Sequence, residues 1–394
     1  MAERIAITGI GIVSSLGLNT SENLVSLKNS QTGIGKMKLL QSEHKELPVA
    51  EVKQTDEELA RLLKIPYDRK YTRTALLAML AGQEAWNDAH ADPSSKNGII
   101  SATTVAGMRT SEGHYVEFQK NGGDAFFINT HDAGDSTEKV ADFLEIKDYL
   151  STISTACSSS ANSFMLGSRL LRAKKLDKVL AGGVDALSKF TVNGFNSLMI
   201  LDKEHCRSFD DTRAGLNLGE GAAFLVLERA SDIEKGRKIY GYIDGFANAN
   251  DAYHQTASSP DGNGATLAMQ NALKMAQLKP SNIDYINAHG TATHNNDLSE
   301  GLAIQKIFTD NIPPVSSTKP YTGHTLAAAG ALEAVFVAMA LEEGIVYPNL
   351  NFKKQMNELN FSPNTELRKK EIKHVLSNSF GFGGNNSTII FSKH

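Results

Sequence analysis

The segment Tyr149-Leu-Ser-Thr-Ile-Ser-Thr-Ala-Cys157-Ser-Ser-Ser-Ala161 changes character partway along. Tyr149–Thr155 carries the β-branched residues of a strand, and Asn162–Lys174 beyond it has the spacing of a helix. Between them lie only small residues, which let a chain turn sharply. A strand that turns at once into a helix is the repeating unit of α/β architecture. The turn places Cys157 at or near a helix N-terminus, where unpaired N–H groups and the helix dipole favour a thiolate and offer donors to an oxyanion. A buried structural thiol in a small-residue helix contact fits the same residues, and this segment alone does not choose.

Working outward, Arg4–Thr8, Gly98–Ala102, Lys178–Ala181 and Ala222–Glu228 also read as strands, with helical patterns between most of them. A second set follows: Ile239–Phe246, Tyr285–Ala288, Pro314–Ser316, Val375–Asn378 and Ser387–Phe391, around helices at Gly264–Gln277 and Leu326–Glu343. The order of elements is similar in the two sets, although no short repeat of the solenoid kind is present. We therefore expect an α/β fold of two similar halves, 1–235 and 236–394, packed together and joined through the charged, exposed stretch Ser231–Lys238.

A chain of 394 residues with 41% hydrophobic and 21% charged residues belongs to the globular class. The net charge of −4 gives no overall attraction to nucleic acid or an anionic membrane. No signal-peptide pattern and no spanning apolar run is found, so the protein reads as cytoplasmic. Of the two cysteines, Cys206 lies in the polar stretch Asp202–Arg207 and reads as an incidental thiol.

Two histidine motifs stand out. Asn287-Ala-His289-Gly-Thr291-Ala-Thr293-His294 follows the apolar Ile283–Ile286, so His289 belongs at a strand end, where α/β folds place chemistry. Ser317-Thr-Lys319-Pro-Tyr-Thr-Gly-His324 follows another strand and opens a helix, and an imidazole near a helix N-terminus is held neutral. Either histidine alone fits a structural role, but together with Cys157 they make a Cys-His-His constellation that only a fold uniting both halves can assemble. A metal site is less attractive, because only His289 and His294 are close in sequence and their separation crosses a loop. The glycine-rich Ser379-Phe-Gly-Phe382-Gly-Gly-Asn-Asn386 lies between two strands and suits either a tight turn or a loop that offers an N–H and a movable ring.

These motifs, with Ile7–Ser14, Ala181-Gly-Gly-Val-Asp-Ala186, Phe209–Arg213, Leu218–Gly221, Asp251–His254 and Pro260–Gly262, make the chain similar over nearly its whole length to the β-ketoacyl-acyl-carrier-protein synthases, particularly the type II elongating enzymes of the thiolase superfamily. The resemblance implies a five-layered αβαβα thiolase fold and an acyltransferase that performs decarboxylative Claisen condensation in fatty-acid or polyketide elongation. It implies that Cys157 carries the acyl group, that His289 and His324 assist malonyl decarboxylation, and that Lys319 and Glu333 organise the site. The N–H groups of Cys157 and Phe382 would form the oxyanion hole, Phe382 would act as a gate, and Thr291 and Thr293 would line the substrate arm; backbone-bonding turn hydroxyls are the other reading of those threonines. It implies no metal or organic cofactor, and as partners an acyl carrier protein and a second chain in a homodimer or a heterodimer.

The chain departs from the family pattern at Ala292 and His294, at Ala214–Leu216 and at Asn385–Asn386, where a more specialised acyl group is an alternative. A noncatalytic chain-length-factor subunit and a CoA-dependent thiolase-like enzyme are the competing functions. Arg61, Lys64, Arg69, Lys70 and Arg73, with Lys203 and Arg207, offer a basic surface to an acidic carrier, and Phe195, Leu198 and Met199 are candidates for the acyl pocket.

Overall fold

The computed structural model describes residues 3–92, 94–309 and 311–393, so residues 1, 2, 93, 310 and 394 of the two expected halves lie outside it. The first five strands are β1 (Ile5–Ser14), β2 (Asn97–Ala102), β3 (Tyr149–Ile153), β4 (Lys178–Asp185) and β5 (Gly221–Arg229). The next are β6 (Gly241–Asn250), β7 (Tyr285–Asn287) and β8 (Val315–Ser316), and after the short ribbon of β9 (Ile345–Val346) and β10 (Arg368–Lys369) come β11 (His374–Gly381) and β12 (Asn385–Ser392).

The strand order β3-β2-β4-β5-β1-β6-β12-β11-β7-β8 contains the same pattern twice, each read inward from an outer edge. β2 runs parallel to β3 and β4, then β4, β5 and β1 alternate antiparallel. β7 repeats this with β8 and β11, followed by antiparallel β12 and β6. The halves meet where β1 and β6 pair antiparallel, Ile5 with Ile243 and Ile7 with Gly241.

Helices complete five layers. Arg73–Asp88 and Ala133–Leu144 cover the first sheet half, Asn263–Ala276 and His294–Phe308 flank the second, and Ser159–Arg172 with Ala329–Glu343 pack between them against both. The helix Ala329–Glu343 is buried at every position to Leu341, which explains an apolar sequence with no polar face. Glu333 is the one carboxylate inside that buried run.

Two glycines show why the halves match. A Cβ on Gly9 of β1 would lie 2.3 Å from the Ala85 carbonyl, and a Cβ on Gly245 of β6 would lie 2.4 Å from that of Ala272. Each permits the same close approach of an outer helix to the first strand of its half. Gly9 and Gly11 also explain why β1 extends to Ser14 rather than ending at Thr8: the glycines that look like strand breakers face a helix.

The other expected elements form with small shifts, except that Leu326–Glu343 divides into a tight turn, Leu326–Ala328, and the helix Ala329–Glu343. Ser231–Lys238 is largely exposed, as its charges require. Cys157 and His324 occupy equivalent connections, β3 to Ser159–Arg172 and β8 to Ala329–Glu343, and both helices belong to the middle layer. The duplication thereby brings together residues that are remote in sequence.

Candidate active site

The chain turns at Cys157 through Ala156, whose φ of 54° is left-handed and strained for a residue with a Cβ. Ser159 holds the turn: its Oγ accepts the Thr155 N–H at 2.8 Å and donates to the Ala156 carbonyl at 2.6 Å. The helix starts at Ser159, so Cys157 precedes its first turn. Gly381 packs on this turn, where a Cβ would come within 3.0 Å of the Cys157 nitrogen. The N–H groups of Phe382 and Cys157 both stabilise negative charge on Sγ.

Around that sulfur the predicted residues converge. His324 Nε2 lies 3.0 Å from Cys157 Sγ, and the rings of His289 and His324 meet edge to face with centroids 5.4 Å apart. Lys319 Nζ lies 3.1 Å from His289 Nδ1 and donates to the His289 carbonyl and to Glu333 Oε1, each at 2.6 Å. An ammonium has only hydrogens to offer, so Nδ1 is the acceptor and the proton of neutral His289 sits on Nε2.

Burial sets the protonation states. It holds both His289 and His324 well below the usual histidine range, with the Lys319 charge adding to the effect. Both imidazoles are therefore neutral, as expected for His324, but burial is the main cause. Burial also pushes the Cys157 thiol up to about 11, outweighing Lys319 and the backbone donors. The expectation of a resting thiolate is thus corrected: a dry site raises the cost of bare charge more than the turn lowers it. Glu333 is likewise raised to about 7 by burial, against the pull of Lys319.

The site opens into a cavity of about 290 Å³ lined by Cys157, both histidines, Thr291, Thr293 and Phe382. Thr291 and Thr293 bond to each other through their hydroxyls at 2.9 Å. The Phe382 ring stacks on Phe195 with centroids 5.7 Å apart, and both line the cavity, whereas Leu198 and Met199 are exposed.

Side-chain ligand atoms of Cys157, His289 and His324 lie within 4.8 Å of one another, a spacing that suits a metal ion. A ligating histidine ordinarily passes its other N–H to an acceptor such as a carboxylate. Here Lys319 instead leaves Nε2 protonated, so the donor set fits an oxyanion better than a cation.

Sequence reasoning missed Glu300, whose buried carboxylate accepts the N–H groups of His289 and Gly290 and the Asn378 amide. It gave no role to Asp297, at the end of the same histidine motif, which accepts the Phe209 and Ala292 N–H groups. The available signal was a pair of acids one turn apart on the helix that follows the histidine motif. Cys206 is a free, buried thiol packed with Ile34, Ala50 and Ala292, in keeping with an incidental role. The basic surface needs correction. Arg73 is only 2% exposed and is held by Glu220 and Asp56, while Arg69 pairs with Asp124 and Arg207 with Asp202 and Glu204. Arg61, Lys64, Arg69, Lys70 and Lys203 remain exposed.

A duplicated αβαβα fold with a cysteine and two histidines at the junction of its halves defines the thiolase-like condensing enzymes. The chain belongs to the β-ketoacyl synthase family: residues 2–233 match its N-terminal domain and 240–353 its C-terminal domain. It is 33% identical to 3-oxoacyl-[acyl-carrier-protein] synthase 2 of Coxiella burnetii, over 99% of this chain and 98% of that one. The protein of the same description from Synechocystis is also 33% identical, over 100% and 98%. Among solved structures, the ishigamide ketosynthase/chain length factor superposes with a TM-score of 0.93 at 27% identity, covering both chains fully. A type II polyketide synthase ketosynthase, solved with its acyl-carrier protein and bound to the hexaketide, gives 0.89 at 27%, again over both full chains. The protein is an acyltransferase-type condensing enzyme of fatty-acid or polyketide chain elongation. Among the described residues no helix is long and apolar enough to cross a membrane.

Proposed function

We propose that the protein condenses an acyl group on Cys157 with a malonyl group, both delivered by an acyl carrier protein. Cys157 Sγ attacks the acyl thioester carbonyl, the bond to the pantetheine sulfur breaks, and the thiol proton leaves with that sulfur. The Cys157 and Phe382 N–H groups receive the oxyanion of this step. Malonyl then loses carbon dioxide, and the electron pair of the broken C–C bond passes to the thioester oxygen as an enolate. His289, protonated on Nε2, and His324 donate to that oxygen, which needs neutral donors rather than a base. The enolate carbon attacks the acyl-cysteine, forming the new C–C bond and releasing the thiolate.

The approach of His324 Nε2 to Cys157 Sγ, with Lys319 on the far side of His289, carries this reading. The same assembly argues against a noncatalytic chain-length factor, for which a nucleophile aligned with two neutral histidines has no use. Lys319 and Glu333 hold His289, Phe382 gates the cavity from its stack on Phe195, and Thr291 and Thr293 line the substrate arm.

The carrier docks on Arg61, Lys64, Lys70 and Lys203. The working unit is a dimer of this chain with itself or with a related subunit, since β3 is an edge strand with partly exposed residues, and exposed apolar side chains such as Leu150 and Phe190 need cover. The division at 235 and 236 separates the two halves in the exposed link between β5 and β6, and the protein is assigned to the cytoplasm.

Replacing His324 with Ala tests the central roles. Release of labelled carbon dioxide from malonyl-carrier protein falls sharply while acyl loading of Cys157 persists. Unchanged release with failed loading contradicts the assignment.

A further inference from the structure

His324 sits in a short connection with two ends, and only one is held by ordinary pairing. On the strand side its N–H donates to the Asn217 carbonyl at 2.7 Å and its own carbonyl accepts the Gly219 N–H at 3.0 Å. On the helix side the chain passes through Leu326, whose φ of 53° is left-handed, into the tight turn Leu326–Ala328. A strained residue of this kind persists only where its surroundings hold it.

What holds it is the backbone of Ala327. Its N–H donates to Asp185 Oδ2 at 2.8 Å, and its carbonyl accepts the Ser160 hydroxyl at 2.6 Å. Both partners belong to the other half of the fold. Ser160 lies one turn beyond Cys157 on the nucleophile's own helix, and Asp185 ends β4. The first half thus grips the turn that carries the histidine of the second.

Asp185 is suited to this task as an acceptor with both oxygens engaged, although burial raises its carboxyl against the pull of its donors. It is fully buried, yet its carboxylate faces five donors and no cation: the Thr103 and Thr104 hydroxyls and the N–H groups of Thr104, Val105 and Ala327. The five donors hold the carboxylate in one orientation, with both oxygens engaged. An amide in its place presents an NH2 group to at least one of them. No step of the condensation chemistry uses either residue.

We propose that Asp185 and Ser160 are positioning residues that set the His324 to Cys157 approach by gripping the backbone N–H and the backbone carbonyl of Ala327. The inference rests on the condensation reading of this site. A displacement of His324 of about 1 Å is enough to cost on the order of 100-fold in rate.

The test compares wild type, Asp185→Asn and Ser160→Ala in two assays: steady-state decarboxylation of malonyl-carrier protein, and acyl loading of Cys157 by intact mass. We expect kcat for decarboxylation to fall on the order of 100-fold in Asp185→Asn and about 3- to 10-fold in Ser160→Ala. KM stays at its wild-type value and loading is retained. Asp185→Asn alters a buried acceptor, so if it fails to fold, Ser160→Ala decides alone, since it deletes a single hydroxyl. Wild-type kcat in Ser160→Ala overturns the inference, as does an equal fall in loading and decarboxylation, the mark of general damage. A wild-type protein that neither loads nor decarboxylates overturns the condensation reading and the inference with it, whereas an active wild type with unaffected variants overturns the inference alone.

Discussion

Replacing Lys319 with Met separates what the buried ion pair does for stability from what it does for chemistry. Lys319 is 2% exposed, and its ammonium serves Glu333 Oε1 and the His289 carbonyl at 2.6 Å and His289 Nδ1 at 3.1 Å. Lys319→Met keeps the length of the side chain but strands the Glu333 carboxylate, a loss of about 3 to 5 kcal/mol when one partner of a buried pair is removed. Adding Glu333→Leu removes the stranded charge, and a well-packed apolar pair is often neutral relative to the ion pair it replaces. Activity behaves differently. Both variants lack the donor that holds the His289 proton on Nε2, a charge-assisted bond of about 1.5 to 3 kcal/mol, which is about 10- to 100-fold in rate. Urea denaturation and malonyl decarboxylation, measured on the same preparations, therefore diverge: the double variant recovers most of the stability and little of the activity. A double variant that recovers both refutes the reasoning, because it makes Lys319 a structural group only.

The Cys157 thiol, raised to about 11, is protonated at pH 7. Alkylation by iodoacetamide should climb steadily between pH 7 and 10, with Cys206, raised to about 12, slower still; a plateau near pH 7 contradicts the buried-thiol account. Because the folded value lies above the ordinary 9.0, the stability linked to this proton is fully present below pH 9 and is lost as pH rises toward 11, so Cys157→Ala should flatten the alkaline fall in a denaturation series. Arg73→Met should destabilise the fold by about 3 to 5 kcal/mol through the stranded Glu220. Lys70→Glu should leave stability unchanged and raise KM for the carrier protein, and the reverse pattern would restore Arg73 to the docking surface.

Much of the site was legible because its residues lie where strand patterns end. β3, β7 and β8 could each be read from β-branched or apolar runs; Cys157 and His289 follow theirs closely, and His324 follows β8 after the short helix Lys319–Thr322. The pairing of Lys319 with Glu333 came from family likeness, since no spacing rule links a four-residue helix to the middle of a buried one. Other features depend on packing that local pattern does not encode. Arg73 opens a helix in a basic stretch and looks like surface, yet its guanidinium turns inward to Glu220. Glu300 and Asp297 look like the polar face of a helix, but that helix lies against the His289 loop and its acids become backbone acceptors. The protonation of Cys157 was misread for the same reason: the turn is a local feature, whereas the dryness of the site is built by both halves.

The most direct test of the central claim is the intact mass of the protein after incubation with a panel of acylated carrier proteins. The account predicts a mass increase equal to one acyl group, mapped by peptide analysis to Cys157 and absent in Cys157→Ala. An acyl adduct that survives in Cys157→Ala, or condensation that proceeds without Cys157, would contradict it.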